Sequence, residues 1–377
     1  MSEPKAKFAD KSGRQTPDKH IHGDHSLDLW EPVVISKEDI DAEVERLAGL
    51  AHPNNGVRRS MIAHPKADDR SLGLAPGIDV SVDVLLPGER TQPVRQNSNI
   101  VNFCIQGAGS MVINAETFEF SHYDVITTPS MAVHEYVNET DEMQVRLRYS
   151  NGALLERLNI HLVDEDPPIP GAADAEKTEA ADEMEEGSES PYGTFELTED
   201  GGWLMPYEKL INPEPVEIKP HHWPWKKVKA ELDKLASLGP KYKGRRLYLL
   251  YDPVTGRTNG TTPNFFATMC IRPGGIVDRP HRHASAALNY YFAGNGHSVV
   301  EGKRYPWKAG DLMLSAPGWA IHNHASDEGP VYELTIQDMP LNINMDSLLW
   351  QEELTGPVSL LGSQAGFETN REKAATN

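Results

Sequence analysis

One pattern occurs twice in this chain, and that duplication limits the possible architecture more than any other feature. VNFCIQGAGSMVI, starting at Val101, lies beneath LNYYFAGNGHSVV, starting at Leu288, so that Asn102 falls under Asn289, Gly107 under Gly294 and Gly109 under Gly296. Further on, Asp124-Val125, Pro129 and His134 fall beneath Asp311-Leu312, Pro317 and His322, with the offset changed by one residue. Self-similarity of this kind predicts two copies of one structural unit. Short β-rich runs such as VSVDVLLP, NIVNFCI, SMVIN and EMQVRLRY, punctuated by Gly, Pro and Asn, suit a sandwich or barrel. The expectation is an all-β protein of two barrels in tandem, with a few peripheral helices.

Two helices stand out from the β pattern. Ser36 and Asp39 make a capping-box-like start before Ile40, Val44 and Leu47, which recur at helical spacing as far as Gly49. Pro224 suits the first helical position, with Trp225, Val228, Leu232 and Leu235 on one face and Gly239-Pro240 as the stop. Residues 1–30 are polar and read as a mobile arm. His20, His22 and His25 lie in it without flanking apolar residues to fix a geometry, so they read as part of a solvated tail. Residues 31–162 form the first barrel unit, and 163–190, acidic and Pro- and Ala-rich, an acidic linker. Residues 191–350 form the second barrel unit and 351–377 a polar tail.

Composition excludes several classes of function. A formal net charge of -20, from 56 acidic against 36 basic side chains, repels phosphate backbones and anionic lipid surfaces. No nucleic acid and no membrane partner is expected, and no apolar run approaches the roughly 18 residues of a membrane span. Cys104 and Cys270 are too few for a disulfide framework and read as buried apolar fillers. With no apolar leader at the N-terminus, the expected location is cytoplasmic.

The second copy carries the chemistry. It reads GIVDRPHRHASAALNYYFAG and then EGKRYPWKAGDLMLSAPGWAIHNHAS. Gly275, five residues, His281-Arg282-His283 and then Gly294 resemble the first cupin motif, and Gly310-Asp311 through Pro317 to His322 resemble the second. The resemblance implies double-stranded β-helix (jelly-roll) barrels. Independently of it, His281 and His283 are two apart on a strand and point to one face, where a third imidazole from a facing strand would complete a metal-binding set. A solvated HRH turn beside an ordinary barrel histidine is the competing reading, and the glycine framework at both motifs weighs against it. The carboxylate usual in cupins, four residues after His283, is replaced by Ala287. Three neutral imidazoles leave the full charge on a divalent ion and several coordination positions open, unlike a closed structural zinc site. In the first copy Val94 and Gln96 stand where His281 and His283 stand, and only His134 remains. That barrel is expected to have lost its metal site and to stabilise the second barrel or form an interface, in preference to holding a ligand pocket of its own.

HRHASAAL, GWAIHNHAS and QDMPL resemble the gentisate 1,2-dioxygenase group of two-barrel cupins, which includes salicylate- and hydroxynaphthoate-type ring-cleaving enzymes. That resemblance implies a non-haem Fe(II)-dependent, extradiol-type dioxygenase taking a hydroxylated or dihydroxylated aromatic and O2, and a homodimer or homotetramer. It makes His281, His283 and His322 the metal ligands, His324 a second-sphere catalytic residue and Asp338 an acidic catalytic residue. His324, two beyond a ligand, could move a proton; the same position also suits a core histidine satisfied by a carbonyl. Three features depart from the group: the HRH motif sits in the second barrel, and Ser285 and Asn289 replace the group's Gln and carboxylate-binding Arg. A hydroquinone-like substrate, or one held by Arg272, Arg279 or Arg304, fits that change. Asn289, Tyr291, Trp319 and Ser285 are the candidate substrate contacts, with Tyr290, Phe292 and Trp307 as further aromatic candidates; all five aromatics are more often simply core or rim, and alternation puts Tyr290 on the face away from the ligands. Three imidazoles also accept Mn, Co, Ni or Zn. A redox-neutral isomerase, lyase or decarboxylase and a non-catalytic small-molecule-binding bicupin are the alternatives.

Overall fold

A Ser36 side chain that accepts the Asp39 N–H at 3.1 Å starts the helix Lys37–Ala48, whose Ile40, Val44 and Leu47 are buried. The computed structural model describes residues 29–168, 192–199, 201–211, 213, 215–239 and 246–363. Before that helix comes β1 (Val33–Ile35) and after it β2 (Arg58–Met61), β3 (Asp79–Leu85), β4 (Arg95–Gln96), β5 (Ile100–Gln106), β6 (Gly109–Ile113) and β7 (Glu116–Phe120). There follow β8 (Val125–Thr128), β9 (His134–Val137), β10 (Gln144–Ser150) and β11 (Val163–Asp164). Strands β8–β5–β10–β3–β2 make one antiparallel sheet, β7–β6–β9 make the sheet of the other barrel wall, and β11 pairs with β4. A small exposed hairpin, β12 (Phe195–Glu196) with β13 (Trp203–Leu204), lies between the two halves.

The second half repeats the strand order of the first and adds one strand, β25, at its end. It runs β14 (His222–Trp223), the helix Trp225–Ser237, β15 (Leu247–Leu249), β16 (Phe266–Arg272), β17 (Arg282–His283) and β18 (Ala287–Ala293). It continues through β19 (Asn295–Val300), β20 (Lys303–Lys308), β21 (Leu312–Ala316), β22 (His322–Ser326), β23 (Val331–Gln337), β24 (Leu349–Gln351) and β25 (Ser359–Leu360). The sheets are β21–β18–β23–β16–β15, β20–β19–β22 and β17–β24–β25. Gly107 and Gly294, matched in the repeat, have φ of 73° and 78°. A Cβ there would come within 2.3 Å of Met143 O or 2.6 Å of Pro330 O, so neither turn admits a side chain.

The halves exchange their leading strands. β1 joins the second barrel's sheet, Val33 opposite Leu314 and Ile35 opposite Leu312, while β14 joins the first, His222 opposite Ile126 and Trp223 opposite Val125. Each following helix starts on an aspartate of the other half: Lys37 N–H donates to Asp311 Oδ1 at 2.8 Å, and Trp225 N–H donates to Asp124 Oδ1 at 2.7 Å. A carboxylate at a helix N-terminus meets unsatisfied N–H groups and the positive end of the dipole. The repeat thus aligned two aspartates whose task is reciprocal. Between the barrels Tyr123 and Phe292 lie 4.5 Å apart, and Trp225 meets Phe292 edge-on at 5.0 Å. One apolar core runs through both halves.

These facts move several expected boundaries. The cuts at 162 and 191 separate β1 and β14 from the barrels they complete. Val163–Asp164, assigned to the linker, pairs with β4, and the tail assigned from 351 runs through β25 with Leu361 buried. Strands of two or three residues, held by main-chain hydrogen bonds, leave no apolar periodicity to read. In the N-terminal arm Trp30 stacks on His64 at 4.7 Å, and His20, His22 and His25 lie outside the described residues, as does most of the acidic linker. Among the described residues no helix is long and apolar enough to cross a membrane.

Candidate metal centre and active-site cavity

His281 and His322 face each other across an antiparallel bridge, N–H to carbonyl in both directions at 3.1 and 2.9 Å. His283, two residues on, turns to the same face. The three rings are buried, with centroids 4.5 Å (281–322), 4.8 Å (283–322) and 5.8 Å (281–283) apart. One nitrogen from each lies within 4.8 Å of the others, and among the described residues no carboxylate or thiol joins the group.

Main-chain carbonyls fix the tautomers. Nδ1 of His281 meets Arg279 O at 3.1 Å, Nδ1 of His283 meets Ser285 O at 2.9 Å, and Nδ1 of His322 meets Ala320 O at 2.9 Å. A carbonyl only accepts, so the proton sits on Nδ1 and the Nε2 lone pair is the donor to an ion. Ser285 Oγ donates to Gln337 Oε1 at 3.0 Å and lies 3.0 Å from His283 Nδ1, a second acceptor for that N–H. Trp350 is stacked against His281 and His283 at 5.7 and 5.0 Å. This donor set fits a divalent metal.

His324 is held by a hydroxyl instead of a carbonyl. Trp307 Nε1–H donates to Ser298 Oγ at 3.1 Å, and Ser298 Oγ lies 2.8 Å from His324 Nδ1. An indole can only donate, so it takes one acceptor position of Ser298, and the hydroxyl keeps a second lone pair and its hydrogen, either of which serves Nδ1. Burial, with the Arg272 guanidinium nearby, holds this imidazole well below its usual pKa and neutral.

The histidines open into a cavity of about 250 Å³, which His324, Asn289, Thr335, Gln337, Arg246 and Arg272 also line. Asn289 is the one candidate substrate contact that reaches it; its amide donates to Thr335 Oγ1 at 2.8 Å and accepts from Ser315 Oγ at 2.5 Å. Tyr291 does not line it: fully buried, it stacks on Trp307 at 3.7 Å in a core cluster with Val300, Met313 and Val331. Trp319 lies outside, beneath the Arg282 guanidinium at 4.6 Å. Ser285 is buried behind His283. Asp338 also misses the cavity, because β23 ends at Gln337 and the chain turns into the helix Met339–Asn344. Its carboxylate accepts the Ala286 N–H at 2.8 Å, and burial pushes its pKa up to about 6. Of the arginines, Arg279 is exposed and Arg304 sits by His297, whereas Arg272 reaches the cavity but is held by Asp278 and by Glu333 at 2.9 Å.

Several lining residues escaped the sequence reading. Glu333, Thr335 and Gln337 alternate along VYELTIQ, a period-two signal that was there to be used. Arg246, beside a short strand, carries no such signal, and neither does Trp350, which backs the histidines without lining the cavity. Cys270 lines this cavity as well as packing, while Cys104 is core, its thiol pushed by burial up to about 12.

In the first barrel the Val94–His134 bridge repeats the His281–His322 bridge, and His134 Nδ1 meets Ala132 O at 3.0 Å as His322 Nδ1 meets Ala320 O. Gln96 bonds Ser98, and burial pushes the His134 imidazole down to about 3.

A cupin-domain family model matches residues 267–336, the segment that builds the three-histidine site. A gentisate 1,2-dioxygenase from Haloferax sp is 27% identical over 334 residues, covering 85% of this chain and 86% of that protein. A 5-nitrosalicylic acid 1,2-dioxygenase from Bradyrhizobium sp is 32% identical over 161 residues, covering 39% of this chain and 76% of that protein. Over most of its length the chain is similar to gentisate 1,2-dioxygenase-type bicupins. It is therefore an oxidoreductase, an aromatic ring-cleavage dioxygenase that uses a metal cofactor, an aromatic substrate and O2. The salicylate 1,2-dioxygenase of Pseudaminobacter salicylatoxidans shares the fold, with a TM-score of 0.69 at 15% identity over 88% of this chain and 90% of that one. In the dioxygenase described here both barrels of that fold persist, and their interiors differ in chemistry.

Proposed function

We propose that the second barrel holds a mononuclear Fe(II) on His281, His283 and His322, and that the enzyme is an extradiol-type dioxygenase of gentisate-, salicylate- or hydroquinone-like aromatics. One observation carries this reading: three buried imidazoles present Nε2 to a common point, with no further ligand-type side chain among the described residues closing the group. Iron there supplies a Lewis-acidic, redox-active centre with positions left for substrate and dioxygen.

The protein's own groups do the rest. Asn289, Thr335 and Gln337 form a polar wall that orients the hydroxylated edge of the ring. His324 lines the cavity and in its Nε2–H tautomer stabilises negative charge on a nearby oxygen by hydrogen bonding. Arg246, which donates to Gly239 O at 3.0 Å, lies on the cavity lining and meets a substrate carboxylate.

The test is anaerobic reconstitution of metal-free protein with Fe(II), then oxygen uptake with gentisate, salicylate, 1-hydroxy-2-naphthoate and hydroquinone. Uptake matched to loss of aromatic absorbance with at least one of them, and none with Zn(II), is expected. Conversion of any of them without oxygen, equally well with Zn(II), would overturn the proposal in favour of redox-neutral chemistry.

A further inference from the structure

The first barrel also contains a cavity, of about 260 Å³, lined by Val94, Gln96 and His134, the counterparts of His281, His283 and His322. Its chemistry is cationic. Arg59 and Arg148 line it, and Arg146 lies beside them with its guanidinium 3.3 Å from the Tyr136 ring centre. Two carboxylates, Asp79 and Asp83, sit among these three guanidiniums. Asp83 is taken by Arg59, at 2.9 and 2.6 Å, and is 3.9 Å from Arg146. Asp79 accepts from Ala153 N–H at 2.8 Å and Ser150 Oγ at 3.1 Å, and lies 3.7 Å from Arg148, beyond hydrogen-bond reach.

Arg148 is therefore incompletely satisfied. Its side chain is 5% exposed, and its Nε has no hydrogen-bond partner; Nε and Nη1 of Arg146 also lack one. Buried guanidinium N–H groups are rarely left so, because water has been removed and nothing has replaced it. Burial also pushes the Asp79 carboxyl up, which weakens one of the two counter-charges near Arg148, and the other, Asp83, is hydrogen-bonded to Arg59. Glu156 and Glu165 stand at the mouth, but both are exposed and their charge is screened by solvent. Val57, Met61, Leu72 and Val94 give the same space an apolar wall.

We propose that the first barrel is a second ligand site, which binds a small organic carboxylate without metal, its two oxygens on Arg148 and Arg59 and its apolar body against Val57, Met61 and Val94. Arg59 spends Nε and Nη2 on Asp83, so each arginine offers a carboxylate oxygen its remaining N–H groups in a charge-assisted hydrogen bond, and the volume is close to that of the cavity in the second barrel, so the body is of single-ring size. This inference is independent of the reading of the second barrel.

Benzoate is the probe, titrated calorimetrically into the metal-loaded full chain and into an H281A/H283A variant that disables the other site. Saturable binding retained in H281A/H283A is expected. It should weaken roughly tenfold or more in R148Q and vanish in V94W, which fills the cavity from a half-buried position and leaves the Arg–Asp network intact. V94W should keep the wild-type melting temperature and turnover. Inorganic phosphate, lacking an apolar body, should displace benzoate only weakly. Benzoate binding lost in H281A/H283A, undiminished in V94W, or equalled by phosphate would overturn the proposal.

Discussion

Replacing Asp338 by Asn removes a buried charge yet keeps the oxygen that receives the Ala286 N–H at 2.8 Å. Burial raises this carboxyl from 3.8 to about 6, and each unit corresponds to about 1.4 kcal/mol. A raised folded-state pKa means that the folded protein holds the proton more tightly than the unfolded chain. The stabilising contribution is fully present below pH 3.8 and is lost as the pH rises through about 6. At pH 7.5 the wild type thus carries a burial penalty of about 3 kcal/mol, which D338N escapes. Urea melts should show D338N more stable than wild type at pH 7.5 by up to that amount, with the advantage shrinking towards pH 4. Turnover by the iron-loaded variant should persist, since this carboxylate does not line the cavity. A variant that is less stable at pH 7.5, or that keeps its metal but loses about a hundredfold or more in kcat, would refute this reasoning and return Asp338 to the chemistry.

S285A removes one of two acceptors for His283 Nδ1–H, so metal affinity should fall about tenfold, measured by competition with a chromophoric chelator. His134 is buried neutral with its pKa pushed down to about 3; such a group costs stability as the pH falls below 6.5. H134Q should therefore flatten the stability profile between pH 6.5 and 4 by about 3 kcal/mol, as followed by urea melts. R246M should raise KM for carboxylated substrates on the order of tenfold to a hundredfold and leave hydroquinone unaffected. An equal effect on both would remove Arg246 from carboxylate recognition.

What the sequence made legible were features with a local rule behind them. The repeated glycines mark turns with no room for a side chain, the alternation of His281 and His283 puts both on one face, and the Ser36 cap obeys helix-end chemistry. Tyr291 obeyed alternation too, but alternation says which face a residue takes and not how deep it lies; Trp307 already fills that depth. Asp338 and Trp319 were displaced where the strands end and the chain changes direction. The arginines of the first barrel went unweighed because Arg59, Arg146 and Arg148 look like ordinary strand residues until β2 and β10 bring them together with Asp79 and Asp83. β1 and β14 were illegible for another reason: a strand of two or three residues is specified by the edge it meets.

The trade of β1 for β14 also bears on how the protein is made. As the chain is synthesised, the first barrel emerges with the edge of β8 bare until residues 222–223 follow, and β1 waits for a partner near residue 313. Pairings this distant in sequence raise contact order and slow folding, and an open edge in the meantime invites association with other chains. A single cut anywhere between β11 and β14 would release two fragments that still hold a strand of one another, so they should stay bound after cleavage, and neither would regain its native edge when refolded alone.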